Sequence, residues 1–306
     1  MTLDRFDSIV EPENKVIVTT EILKDEVARQ SPESIILAEP QGRNTAPCIY
    51  WASKVIAQKD PDAIMIVVPS DHFLRNISAY REVINQAVER AQSSNDLVTL
   101  GVKPTFPATG FGYLKASEDL GGGCLKVEAF VEKPNEEKAK SFIDQGHYYW
   151  NAGMFVWSVR AILESFKTSM PEYESVWEAT AGNVQAAYPQ LEATSIDYGI
   201  MERAKNVVTF TLDCGWSDLG SWPSLDEVAE ELDAKVGNNV VVSGDIISVE
   251  SENNIVDVPS RLVALVGIND LVVVEHGNAL LVMPKNKAQD VKKVVETLKT
   301  LHPDYL

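Results

Sequence analysis

The apolar residues of this 306-residue chain fall into two textures, and the change comes near Gly237. Three short aliphatic runs, at 14–20 (NKVIVTT), 33–40 (ESIILAEP) and 62–72 (DAIMIVVPSDH), read as strands. The third is nearly unbroken, as expected of a strand covered on both faces. Between and after them the apolar period lengthens to that of a helix. NTAPCIYWASKVIAQK carries Ile49, Tyr50, Ala52 and Ile56, with Thr45 placed as an N-cap and Pro47 in the first turn, where its missing N–H costs little. AYREVINQAVERAQ (79–92) carries Val83, Ile84, Ala87 and Val88, and LVTLGVKP (97–104) follows as another strand. Alternating strands and helices predict an α/β layer with a mostly parallel sheet.

From 105 to 215 the pattern mixes. GYLKAS and CLKVEAFVEKP read as paired strands around Gly121-Gly122-Gly123, and EEKAKSFIDQG as a helix closed by Gly146. The three glycines have no strand-to-helix context and are read as a turn rather than a phosphate loop. WNAGMFVWS (150–158) reads as a core strand, and helices are expected through about Lys205. After GWSDLGSW (215–222), SLDE (224–227) fits a capping box opening a helix LDEVAEELDA. Beyond Gly237, short strands separated by Asn, Gly, Asp and Ser permit a strand stack or a few β-helix coils without a clean repeat, and AQDVKKVVETLKTL closes as an amphipathic helix. The expected division is a core over residues 1–235 and a β-rich domain over 236–306.

Composition narrows the partners. With 45% hydrophobic residues the chain can bury a large core, and a formal charge of -18 argues against nucleic acid or an anionic membrane as partner. An anionic ligand must then be held by local donors or by a metal. Cys48, Cys124 and Cys214 match no zinc spacing and read as packing residues in a reducing, cytoplasmic compartment. No secretory leader is read at the start, and no apolar run reaches the roughly 18 residues a membrane helix needs.

In open α/β sheets ligands bind outside the carboxyl ends of the strands. The polar residues there are Glu39 and Pro40 with QGRNTAP, Ser70-Asp71-His72, Glu132-Lys133-Pro134, Asn151 and Asp218. Each alone has an ordinary structural explanation. Aspartates cap helices and form turns, Asn44 and Thr45 are common capping residues, and a lysine such as Lys133 is usually solvated.

Taken together and in order, AEPQGRNTAP (38–47), VVPSDH (67–72), TGFGYL (109–114), FVEKP (130–134), WNAGMF (150–155), SIDYGIMERA (195–204) and GWSDLGSW resemble the sugar-1-phosphate nucleotidyltransferases. The resemblance is closest to the mannose-1-phosphate guanylyltransferases and runs over essentially the whole chain. It implies a Rossmann-like core, a small β-rich C-terminal domain, and transfer of GMP from GTP to mannose 1-phosphate in the presence of Mg²⁺. In such a reaction the sugar phosphate oxygen is already ionised, so positioning and charge neutralisation do the catalysis. By resemblance Asp71 and Asp218 hold the metal, and Lys133 completes the catalytic set. Glu39, Pro40, Arg43, Asn44, Thr45 and Ala46 line the nucleotide, while Gly112, Glu132, Lys133 and Asn151 take the sugar phosphate. Lys133 and Arg43 are candidates for phosphate charge, and His72 is read as a packing residue. Gly215 and Gly220 would let backbone approach the phosphates, with Trp216 and Trp222 stiffening the loop.

One departure stands out. The family's glycine-rich signature, G-x-G-x-R-L-x-P-L, has no counterpart among these residues. In the resembling fold the strand before that loop lies between the strands at Val16 and Ile64. The 306 residues alone are therefore expected to show little or no pyrophosphorylase activity and to be poorly stable. A silent binding or regulatory subunit, and transfer to a different sugar 1-phosphate, stay open as alternatives, as does assembly into a homo-oligomer. Retention of both aspartates and Lys133 favours the enzyme.

Overall fold

The computed structural model describes residues 2–305, which divide into two compact units. One comprises residues up to 70 together with 74–216, the other 71–73 together with 217–306. Packing therefore changes earlier than the sequence texture, at Ser217, because Trp222, Leu225 and Ala229 already join the second unit's core with Val240 and Ile255.

The first unit runs β1 (Val16–Thr20), α1 (Lys24–Gln30), β2 (Ile35–Glu39), α2 (Thr45–Lys59), β3 (Ile64–Val67), β4 (Phe73–Leu74), α3 (Ile77–Ser93), β5 (Leu97–Val102), β6 (Tyr113–Asp119) and β7 (Cys124–Val131). It continues with α4 (Glu136–Gln145), β8 (Tyr148–Ser158), α5 (Val159–Ser169), α6 (Pro171–Ala179), α7 (Val184–Ala187), a π turn at Asp197–Met201, β9 (Val207–Thr211) and β10 (Trp216–Ser217). Six strands form a sheet in the order β3-β8-β5-β9-β7-β6. Strands β3, β5 and β9 share one direction, and β8 runs antiparallel between β3 and β5. Strands β1 and β2 pair in parallel as a sheet of their own.

Strand β8 explains the layering. Successive side chains point to opposite faces, so Phe155 and Trp157 enter one core with Tyr50, Trp51, Ile162 and Phe166 of α2 and α5. Met154 and Val156 enter the other with Tyr80, Ile84 and Ala87 of α3. The first of these cores also receives Val16, Val18, Ile35 and Leu37 of β1 and β2 alongside Met65 and Val67 of β3. The two sheets thus pack against one helical layer while, among the described residues, β1 pairs only with β2 and β3 only with β8.

Local signals place the helices. Asn76, Asn135 and Ser158 cap α3, α4 and α5 by accepting from the backbone N–H three residues on. Helix α2 begins differently from the expectation. Asn44 is its N-cap, and Thr45, already inside the helix, uses its hydroxyl to accept from the Ile196 N–H at 2.8 Å. The helix expected to open at SLDE also takes another form. Residues Trp222–Glu227 form a 3₁₀ turn followed by further turns, because the chain enters it at Trp222-Pro223 and the Ser224 hydroxyl donates back to the Ser221 carbonyl at 2.6 Å.

The second unit holds β11 (Lys235–Val236), β12 (Asn239–Ser243), β13 (Ile246–Val249), β14 (Ile255–Asp257), β15 (Val263–Val266), β16 (Leu271–His276), β17 (Ala279–Pro284) and α8 (Val291–Leu301). Strands β12, β14 and β16 stack in parallel, as do β13 and β15, which is the β-helix arrangement. Its repeat is written in asparagines: Asn-Asn at 238–239 and 253–254, then Asn-Asp at 269–270. The second residue of each asparagine pair is buried at a corner. Asn254 donates to Asn239 Oδ1 at 2.9 Å and to the Ile268 carbonyl at 3.0 Å, and accepts from the Leu271 N–H at 3.0 Å.

Buried polar groups left without partners cost about 1–3 kcal/mol each. Asn254→Ala should therefore lower the stability of the second unit by roughly 3 kcal/mol. Asn238→Ala, at an exposed position, should change it by less than about 0.5 kcal/mol. Chemical denaturation of both variants checks the contrast, and equal losses would remove the ladder from the account.

Candidate active site

Three separate groups of side chains lie at strand ends. The first is built where β6 begins, β7 ends and β8 passes between β3 and β5. Along β5 the register advances from Thr99 to Gly101 while β8 moves from Phe155 to Asn151, so β8 bulges around Gly153, whose φ of 65° suits a residue without Cβ. The bulge turns Asn151 out of the ladder's regular alternation. Its backbone N–H donates to the Gly112 carbonyl at 2.8 Å. Its side-chain Oδ1 accepts from the buried Thr99 hydroxyl at 2.7 Å and from the Gly153 N–H at 3.3 Å, and its Nδ2 donates to Asp197 Oδ1 at 2.9 Å.

Glu132 closes this group. A Cβ on Gly112 would lie 2.5 Å from Glu132 Oε2, so only glycine admits the carboxylate there. The Glu132 side chain is 7% exposed and pairs at 2.8 Å with Lys133 Nζ, whose side chain is 57% exposed. That hydrogen bond holds the Lys133 ammonium above its usual range. Lys133 also takes a left-handed φ of 46°, one of eight such non-glycine residues among those described. Asn44 and Leu219, beside the other two groups, are two more, and strained backbone of this kind collects at functional sites. Burial, reinforced by the Glu132 carboxylate and opposed by Lys133 and the Asn151 amide, pushes the Asp197 carboxyl up to about 6. Gly112, Glu132, Lys133 and Asn151 thus lie together, with Asp197 and Thr99 as members that the sequence reading did not single out. Asp197 stood within SIDYGIMERA, and a carboxylate on a π turn is the signal that structure adds.

The second group fastens the loop from Glu39 to Ala46. The Tyr188 hydroxyl donates to Glu39 Oε1, Arg43 Nη1 donates to the Leu191 carbonyl at 2.6 Å, and the Ala46 N–H donates to the Thr194 carbonyl at 3.1 Å. Arg43, read as a candidate for phosphate charge, braces the loop in this structure. Burial and the nearby Glu39 push the Tyr188 phenol well above its ordinary range and the Cys48 thiol up to about 12. All three cysteines are free.

The third group is the pair Asp71 and Asp218, both in the second unit. Strand β4 pairs with β10, and the Arg75 N–H donates to the Cys214 and Gly215 carbonyls. Residues before β4 therefore lie beside residues after β10, which brings Asp71 and Asp218 to one end of the pair. Asp71 is exposed, and Asp218 accepts from the Gly220 N–H at 3.0 Å through Oδ1. The two glycines are explained by local packing rather than by phosphate approach. A Cβ at Gly215 would meet Arg75 Cβ at 2.7 Å, and one at Gly220 would meet Asp218 Oδ2 at 2.4 Å. Trp216 packs on Phe111 in the first unit and Trp222 in the core of the second. Among the described residues no three His, Cys, Asp or Glu side chains form a metal cluster. Two carboxylates on adjoining strand ends nevertheless match the donor set of Mg²⁺, which takes one or two carboxylates and leaves its other positions to phosphate oxygens and water.

The Nucleotidyl transferase family model matches residues 4–235, and the MannoseP isomerase/GMP-like beta-helix domain model matches 244–298. A mannose-1-phosphate guanylyltransferase of Escherichia coli is 35% identical over 97% of this chain and 67% of its own length. The mannose-1-phosphate guanylyltransferase ManC of Salmonella typhimurium is 37% identical over 95% of this chain and 64% of its own. The chain thus spans about two thirds of the length of these curated relatives. A solved structure from Thermus thermophilus, described as a mannose-1-phosphate geranyltransferase, shares 30% identity at a TM-score of 0.88, covering 98% of this chain and 88% of that one. No helix among the described residues is long and apolar enough to cross a membrane.

The Asp197 carboxyl carries a stability consequence. Between the ordinary value of 3.8 and about 6 the folded state keeps a proton that the unfolded state has released. Stability therefore falls as pH rises through that window and stays lower above it. Asp197→Asn, which does not titrate, should gain on the wild type by on the order of 1–3 kcal/mol between about pH 3.5 and about pH 7.5. Urea denaturation at the two pH values tests this, and a difference that does not change with pH would contradict the environment assigned to Asp197.

Proposed function

Because the chain belongs to the nucleotidyl transferase family, in its mannose-1-phosphate guanylyltransferase branch, we propose that it transfers GMP from GTP to mannose 1-phosphate, giving GDP-mannose and pyrophosphate. The observation that carries this reading is the group formed by Gly112, Glu132, Lys133 and Asn151, in which a buried carboxylate and an oriented amide sit beside an exposed ammonium. Glu132 accepts from sugar hydroxyls and the free N–H of Asn151 donates to them. Lys133 exchanges its ion pair with Glu132 for the sugar phosphate. The phosphate oxygen then forms its bond to the α-phosphorus of GTP as the bond to the β-phosphate oxygen breaks, and pyrophosphate carries away the electron pair. No proton has to be removed from the nucleophile.

Asp71 and Asp218 would hold Mg²⁺, which when bound supplies charge neutralisation at the triphosphate. The loop from Glu39 to Ala46, braced by Tyr188, Leu191 and Thr194, takes the guanine and ribose. Its backbone carbonyls suit the base N1–H and exocyclic amine. Three free thiols accord with a reducing, cytoplasmic setting.

Two measurements on the protein and its variants test the proposal. Asp71→Ala and Asp218→Ala should each lower kcat for Mg²⁺-dependent pyrophosphate release by at least about 100-fold. Turnover like that of the wild type in either variant would return that aspartate to a turn-forming role. GTP should be used in preference to ATP, because the two purines present opposite donor and acceptor patterns at position 6. Equal use of the two would remove the guanylyl assignment and leave nucleotidyl transfer standing.

A further inference from the structure

We infer that Asp197 and Thr99 are positioning residues that fix which edge of the Asn151 amide faces the sugar, so that Asn151 presents only a donor beside the acceptor Glu132. The inference rests on the sugar-phosphate reading of this group and extends it to two residues outside the assigned set. An asparagine amide turned by half a rotation exchanges its donor for its acceptor, and little in its shape resists the exchange. Here the two sides are held by partners of opposite kind. The Thr99 hydroxyl, fully buried on β5, donates to Oδ1 at 2.7 Å, joined by the Gly153 N–H at 3.3 Å. On the other side Asp197 Oδ1 accepts from Nδ2 at 2.9 Å. A turned amide would place its oxygen against a carboxylate. With Oδ1 receiving two donors and one Nδ2 hydrogen given to Asp197, a single N–H remains for a ligand.

The placement of these groups supports a role at the ligand rather than in the core. Glu132 places its carboxylate beside Gly112, whose carbonyl accepts from the Asn151 backbone N–H. A sugar hydroxyl can then donate to Glu132 while accepting from Asn151, which reads a hydroxyl as both donor and acceptor. The turn carrying Asp197 is also tied to the nucleotide loop, since the Ile196 N–H donates to the Thr45 hydroxyl and the Thr194 carbonyl accepts from the Ala46 N–H. The orientation of Asn151 is thereby referred to the same segment that braces the loop.

The test is calorimetric binding of mannose 1-phosphate, and separately of GTP, to the 306-residue chain and its variants. Asp197→Ala should weaken mannose 1-phosphate about 10-fold. Asp197→Asn, whose amide oxygen can still accept from Asn151, should stay within about 3-fold of the wild type. Thr99→Val, which removes the opposite partner, should weaken the sugar phosphate about 10-fold, and GTP binding should be the same in all three. The inference is overturned if Asp197→Ala and Thr99→Val bind the sugar phosphate as tightly as the wild type, or if GTP weakens in step with it. It is also overturned if Asp197→Asn loses as much as Asp197→Ala, which would point to charge rather than orientation. Should Asp197→Ala not fold, Thr99→Val and Asp197→Asn decide the question between them. A wild type that binds no sugar 1-phosphate would instead overturn the underlying site reading, and the inference with it.

Discussion

Strand β8 must bury both of its faces at once, and the rest of the first unit is arranged to let it. Its eleven residues pair with β3 and β5 on either side and meet β6 at their start. Phe155 and Trp157 fill the layer beneath α2 and α5 while Met154 and Val156 fill the layer beneath α3. A strand held this closely can carry a bulge without losing register, and the bulge at Gly153 is what releases Asn151 from the ladder. The packing of a core strand and the aim of a polar side chain are two results of one constraint.

The electrostatics of the group follow from that placement. A chain with a formal charge of -18 offers a phosphate little general attraction, so affinity has to come from a few local donors. In the proposed reaction Lys133 is such a donor, paired with Glu132 in a left-handed backbone conformation. The cost appears at Asp197, a carboxyl that is buried first of all and lies near a second carboxylate, with one ammonium serving both. Stability given up at a site in order to keep an arrangement in place is a common pattern in functional proteins.

Much of this was legible in the sequence, for reasons that can be named. Strand and helix periods located β1 to β3, β5, β8 and the helices α2 to α4, because each has a face that must be apolar. The polar strand ends singled out Glu132, Lys133 and Asn151, and the family resemblance of the ordered motifs added Gly112 and grouped the four. What escaped depended on contacts distant in the chain. Thr45 reads as a cap until Ile196 is seen to use its hydroxyl, and Ser224 until its hydroxyl is seen turned back on Ser221. Thr99 looks like any β-branched strand residue, and its partner lies 52 positions away. The coil repeat of the second unit was present in the Asn-Asn and Asn-Asp pairs, but its period is irregular and only stacking reveals that the second residue of each asparagine pair fills a corner.

The central claim is that one group of side chains, Glu132, Lys133 and Asn151, receives the sugar phosphate. A crystal structure of the protein with mannose 1-phosphate tests it most directly. The account predicts sugar hydroxyls bonded to the Glu132 carboxylate and to the Asn151 amide nitrogen, with the phosphate on Lys133. A sugar phosphate seated elsewhere, with the Glu132–Lys133 pair intact, would contradict it.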